Sequence, residues 1–158
     1  MEIRLASLQD LPALVRLNQE VQALHVAQEP WQYRPTRDED LAASIRERLG
    51  ASLEYWLALE PGPQGEEALG YAATQVLRRP ANAFTYAREI LLVDQLGVSP
   101  SARRRGVGRA LMEHLQRRAQ APELSGVELD VRGFNAEAQA FYEALGYRPS
   151  SIRMRLGL

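Results

Sequence analysis

The sequence contains no cysteine, and that single absence removes disulfides, thiolate metal sites and a cysteine nucleophile together. It also fits a reducing compartment. Lysine is missing as well: all 19 basic residues are arginine. No lysine can act as a base, form a Schiff base or cradle a phosphate. Long apolar runs are absent, and no stretch approaches the roughly 18 residues of a membrane span. The segment Met1-Glu2-Ile3-Arg4 is charged, so no signal peptide is expected. An excess of charge is lacking too. The net charge of -1 gives no overall field toward nucleic acid or an anionic membrane. These absences point to a cytoplasmic protein without a metal.

What is present suits one globular domain spanning residues 1–158. A chain of this length buries about two-thirds of its unfolded surface. No repeat or low-complexity segment appears. Glu60-Pro61-Gly62-Pro63-Gln64-Gly65-Glu66-Glu67 lies between alternating apolar segments and predicts a turn between strands.

Hydrophobic spacing predicts the elements. Ile3 and Leu5 alternate as a short strand. Ser7 and Asp10 form a capping-box pattern before a helix through Leu11, Leu14, Leu17, Val21 and Leu24, with Pro12 in its first turn. Thr36 and Glu39 predict a second capping box, for a helix through Leu41, Ile45 and Leu49 that Gly50 stops. Strands are predicted at Leu53–Leu59, Leu69–Leu77 and Tyr86–Val98, the last with a bulge or bend at Gly97. A helix over Val107–Ala119, a strand through Val127, Leu129 and Val131, and a helix over Ala136–Leu145 follow. Ile152, Met154 and Leu156 alternate as a last strand. The predicted order is β-α-α-β-β-β-α-β-α-β, an α/β (α+β) fold with a mixed, mostly antiparallel sheet.

The stretch from Val98 to Leu111 carries the chemistry. A strand ends, a polar loop follows, and a helix opens on Gly106 and Gly108. A helix N-terminus offers unpaired N–H groups and partial positive charge, and glycines let a ligand approach the backbone. Arg103, Arg104 and Arg105 stand in the same loop, with Val107 and Arg109 in the first turn of the helix. Together these describe a pyrophosphate cradle. The Walker pattern is excluded by the missing lysine. The dinucleotide fingerprint fails because Leu111 stands where its third glycine belongs. A nucleic-acid patch is disfavoured by the net charge and the lack of interleaved aromatics.

Arg103, Gly106 and Gly108 match R-x-x-G-x-G, and Asn135 to Tyr147 reads N-x-x-A-x-x-F-Y-x-x-x-G-Y. On these residues the sequence resembles the GNAT superfamily of acyl-CoA N-acyltransferases. The resemblance implies transfer of acetyl from acetyl-CoA to an amine directly, with no covalent enzyme intermediate. It implies that the pantetheine arm lies along Leu96, Gly97 and Val98, with the Val98 N–H toward the thioester oxygen. Asn135 would cap its helix and touch the same arm. Tyr142 matches the tyrosine that protonates the leaving thiolate, against an alternative of plain packing beside Phe141. The base is open between Asp94, Glu89 and a chain of waters, and Asp94 reads equally well as a structural carboxylate. The resemblance places the acceptor wall between the first two helices, where His25, Glu29, Trp31 and Tyr33 are the candidate contacts. Trp31 or Tyr33 would hold a cationic amine by its ring and Glu29 by charge, while His25 taken alone reads better as a hydrogen-bonded packing residue. A homodimer through sheet edges is compatible with the family. A non-catalytic acyl-CoA-binding regulatory module is the competing expectation.

Overall fold

The computed structural model describes residues 1–63, 65–122 and 124–157. Its core is a five-stranded sheet of β1 (Glu2–Leu5), β2 (Glu54–Gly62), β3 (Gly65–Arg79), β4 (Arg88–Val98) and β5 (Gly126–Leu129), in that spatial order. The first four strands are antiparallel neighbours, and β5 joins β4 in parallel. Helices α1 (Leu11–Gln28) and α2 (Asp38–Arg48) follow β1, α3 (Val107–Gln120) connects β4 to β5, and α4 (Ala136–Ala144) follows β5.

Alternation along the strands feeds two cores, one on each face of the sheet. Tyr55, Leu57, Tyr71 and Ala73 face α1 and α2 and join Leu14, Leu17 and Ile45. Trp56, Ala58, Ala72, Leu91 and Val93 face the other way and join Leu111, Met112 and Leu115 of α3. Each fully buried leucine contributes about 1.5–3 kcal/mol by leaving water.

The Ser7 box forms as expected, on a one-turn 3-10 helix that leads into α1. Gln9 N–H donates to Ser7 Oγ at 3.3 Å, and Ser7 N–H donates to Asp10 Oδ2 at 2.8 Å. The Thr36 box does not form. Helix α2 starts two residues later, with Arg37 in the cap position and no side-chain cap. Thr36 Oγ1 donates instead to the Arg34 carbonyl at 3.4 Å. Asp38, Glu39 and Asp40 in the first turn oppose the positive end of the helix dipole without capping it. Gly50 does follow the end of α2, at φ +73°.

Three strand expectations change. Strand β4 begins at Arg88, leaving Phe84 and Tyr86 in an exposed loop. Its bulge lies at Asp94: Ala73 pairs with Gln95 and Thr74 with Val93, so Asp94 is the extra residue. Gly97 is a glycine for another reason. A Cβ there would stand 2.6 Å from Tyr71 Cε1 and 2.8 Å from Val21 Cγ2. The predicted last strand does not form. Ile152, Met154 and Leu156 are 84%, 90% and 83% exposed, and the segment has no partner in the sheet. Alternation marks a chain able to line a sheet, but a strand also requires a neighbour's backbone groups. Strand β5 likewise stops at Leu129, short of Val131.

Candidate functional site

The sheet forks at the end of β5. Strand β4 pairs with β3 up to Val98, opposite Gly70. On its other side it pairs with β5 only from Ile90 to Val93, against Gly126 to Leu129. From Asp94 to Val98 that edge has no neighbouring strand among the described residues, which leaves backbone N–H and C=O groups for a ligand or water. Leu96 and Val98 pack against the α3 core beside this edge.

Immediately beyond, Ser99 N–H donates to the Leu69 carbonyl at 2.8 Å and holds the chain to the sheet. A 3-10 turn over Pro100–Ala102 follows. Arg104 at φ +59° and Gly106 at φ +82° then turn the chain into α3 through left-handed backbone. Gly106 occupies the cap position, and no side chain caps this end. Val107 is buried and pins the first turn to the core, so the open N–H groups have a fixed direction. Arg103 and Arg104 form no ion pair among the described residues, whereas Arg105 meets Glu60 at 2.6 Å and Arg109 reaches Glu113 at 3.8 Å. Two of the predicted cradle arginines are therefore uncommitted.

Helix α4 closes the other side. Asn135 caps it, its Oδ1 accepting from Ala138 N–H at 3.0 Å, so the sequence-based capping expectation holds. Phe141 and Tyr142 both pack against the α3 core. The Tyr142 ring lies 5.1 Å from Phe141 and 5.9 Å from Tyr147. Its hydroxyl makes no hydrogen bond among the described residues, and burial, reinforced by Tyr147, pushes it up to about 12. A phenol so placed stays protonated at neutral pH and has its proton to give.

The carboxylates sort differently from expectation. Asp94 is on the bulge, but it lies near the surface with Arg48 Nη2 2.8 Å away. The alternative reading of Asp94 as a structural carboxylate thus finds a partner, Arg48, across from α2. Glu89 pairs with Arg78 at 3.1 Å, nine residues and about 30 Å of strand before Val98. That distance separates it from Val98, where the acetyl carbonyl would lie, and argues against Glu89 as the base. Asp130, passed over in the sequence, follows Leu129 directly and stands where β5 leaves β4. It forms no ion pair among the described residues. Its only sequence signal was a carboxylate one position past a strand end. Glu20 of α1 is a second unanticipated group. Its Oε2 is buried without a hydrogen-bond partner, and its other oxygen accepts from Ser99 Oγ at 3.3 Å.

Three of the four acceptor candidates, His25, Glu29 and Tyr33, come together, while Trp31 meets the tail instead. His25 stacks on Tyr33 at 4.7 Å and meets Phe134 edge-on at 6.1 Å. Burial and then Arg132 push the His25 imidazole below its usual value, with Glu29 opposing. Glu29 Oε2 accepts from Arg132 Nε at 3.0 Å, and Gln32 Oε1 accepts from the same guanidinium at 3.2 Å. Arg132 also lies 5.6 Å from the Tyr33 ring, and Arg155 is over Trp31 at 3.7 Å. The loop after α1 is thereby tied to the β5–α4 loop and to the tail.

A sheet that forks beside an uncapped, glycine-led helix is a frame for an extended ligand with a phosphate end. The sequence matches the Acetyltransferase (GNAT) family over residues 18–147, and the chain belongs to that family. It is 36% identical over 94 residues to the [Ribosomal protein bS18]-alanine N-acetyltransferase of Escherichia coli K12, covering 57% of this chain and 62% of that one. The match thus spans less than two-thirds of that enzyme. It is also 41% identical over 63 residues to the mycothiol acetyltransferase of Beutenbergia cavernae, covering 40% of this chain and 21% of that one. Among solved structures, the tetramutant of the BH1408 protein from Bacillus halodurans superposes with a TM-score of 0.88 at 26% identity, with all of both chains covered. A Trypanosoma brucei acetyltransferase shares the fold at TM-score 0.71 and 24% identity, with 99% of both chains covered.

Proposed function

We propose that the chain is an acetyl-CoA-dependent N-acetyltransferase that acts on an amine in the cytoplasm. The observation that carries this is the junction of the open β4 edge with the uncapped start of α3. Acetyl-CoA is an extended molecule with a pyrophosphate, and the residues fit it. Arg103, Arg104 and the N–H groups opening α3 would hold the pyrophosphate. The free edge at Leu96–Val98 would take the pantetheine arm through backbone hydrogen bonds. The Val98 N–H would face the acetyl carbonyl oxygen, where charge develops during transfer. The thioester supplies the activated acetyl group.

The two faces of the sheet divide the remaining work. Tyr142 packs on the α3–α4 face and is the proton donor for the departing thiolate. The amine approaches from the α1–α2 face, past His25, Tyr33 and Arg132. An ammonium has no lone pair, so it must lose a proton first. Asp130, at the fork and without an ion-pair partner among the described residues, is the carboxylate suited to take it, directly or through water. The Escherichia coli relative is named for an alanine on a ribosomal protein, which favours a polypeptide amine as the acceptor class.

Thermal unfolding tests the binding half. Acetyl-CoA and CoA at about 100 times their dissociation constants should add roughly 2.7 kcal/mol of stability, while NAD and ATP add none. Thiol release with a panel of amines then tests transfer. No shift and no calorimetric binding at millimolar acetyl-CoA would overturn the proposal.

A further inference from the structure

Three segments converge on the α1–α2 side of the fork: residues 29–37, 130–135 and 148–157. Arg132 joins the first two through Glu29 and Gln32, and Arg155 joins the third through Trp31. Together they hold six arginines and two carboxylates, Glu29 and Asp130. Arg37 is paired with Asp40 and Arg132 with Glu29. Arg34, Arg148, Arg153 and Arg155 form no ion pair among the described residues.

Apart from Asp130, which the amine itself would meet, each group suited to receive a cation here already has one. Glu29 is neutralised by Arg132, and the Tyr33 and Trp31 rings lie under Arg132 and Arg155. A positively charged acceptor would have to displace guanidinium groups of the chain itself. An anionic acceptor meets the opposite situation. A guanidinium stacked on an aromatic ring keeps its N–H donors at the edge, in a planar fork that matches a carboxylate. Trp31 is 56% exposed, so the Arg155 stack forms on an open surface.

We infer that the acceptor carries negative charge beside its reactive amine: it is a polypeptide amino terminus followed by acidic residues, selected by Arg155 and the other unpaired arginines of these segments. This rests on the transferase reading above, in which the amine enters from the α1–α2 side. Asp130 meets the amine at the fork, while the arginines meet the acidic residues that follow it.

The test uses the full chain saturated with CoA and three C-terminally amidated peptides, Ala-Asp-Glu, Ala-Ser-Gln and Ala-Arg-Arg. Binding is measured by calorimetry at low salt, and acetylation separately with acetyl-CoA. The acidic peptide should bind roughly three- to tenfold more tightly than the neutral one and more tightly still than the basic one. Arg155→Glu should abolish or invert that order, and Trp31→Ala, which removes the ring under Arg155, should weaken it. Both changes are at exposed positions, and an unchanged unfolding midpoint confirms that they leave the fold intact. Equal or tighter binding of the basic peptide, no binding of any peptide, or an order unaffected by Arg155→Glu would overturn the inference. Preferential binding of the acidic peptide without acetylation would instead sink the transferase reading and leave the charge preference standing.

Discussion

The Phe141 ring stands against Gly108: its Cζ lies 3.3 Å from where a Cβ on residue 108 would be, and Val98 Cγ2 lies 3.6 Å from the same point. Three elements meet there, the end of β4, the first turn of α3 and helix α4. Gly108→Ala adds a methyl that a small shift of Phe141 accommodates, so it should change stability by less than about 1 kcal/mol. Gly108→Leu must displace Phe141 or Val98 and should cost about 1–3 kcal/mol. It should also weaken acetyl-CoA binding more than tenfold. Chemical denaturation and calorimetry on both variants check this, and a Leu variant with unaltered coenzyme binding would contradict it.

Tyr142→Phe keeps the ring and removes the proton. It should lower kcat about a hundredfold while the Kd for acetyl-CoA stays within about twofold. Burial raises the phenol to about 12, so Tyr142 is protonated throughout the neutral and mildly alkaline range. A donor must be protonated to act. The rate should therefore show no fall near pH 10 from this group, and the loss in Tyr142→Phe should be the same at pH 7 and pH 9. Stopped-flow thiol detection at both values decides it.

The fork separates the carboxylates. Asp130→Asn should slow transfer at least tenfold and steepen its rise with pH, because more of the amine must then lose its proton in solution. Glu89→Gln, about 30 Å of strand from Val98, should leave kcat/KM within about twofold. The reverse result would move the base to the other end of β4.

Acid stability has a local source. Arg4 holds Asp10 through two hydrogen bonds, at 2.9 and 2.8 Å, and that contact with the Ser7 N–H lowers Asp10 from 3.8 to about 2. A depressed carboxylate stabilises the fold above its unfolded value, and the contribution is lost as pH falls through the folded value. The window is therefore about pH 4 down to 2. The contribution is about 1 kcal/mol after allowing for solvent around Arg4. Asp10→Asn should lower stability at pH 7 by that much and narrow its difference from the parent chain by pH 2. Urea denaturation across that range tests the sign.

Much of the fold was legible because its signals are local. The Ser7–Asp10 box, the glycine after α2 and the Asn135 cap depend on groups within a few residues of each other. The R-x-x-G-x-G run reads the same way, since a glycine-led helix start is a property of the segment itself. The Thr36–Glu39 pattern failed because Gln19 reaches across from α1 to the Thr36 carbonyl at 2.7 Å and to Asp38 at 2.8 Å, and the helix starts at Asp38. The tail failed as a strand because alternation carries no information about a neighbour.

By itself, then, the sequence determined most of the helices and strands, which loop opens a helix on glycines, and that neither cysteine nor lysine chemistry is available. Those properties follow from residue type and spacing along one stretch of chain. The tertiary structure alone decided where β4 and β5 part, that Asp94 is neutralised by Arg48, that Glu89 is paired with Arg78, and that Arg132 and Arg155 fill the positions expected to hold a cation. Each of these joins residues tens of positions apart, and charge and packing between such residues are settled only when the chain has folded.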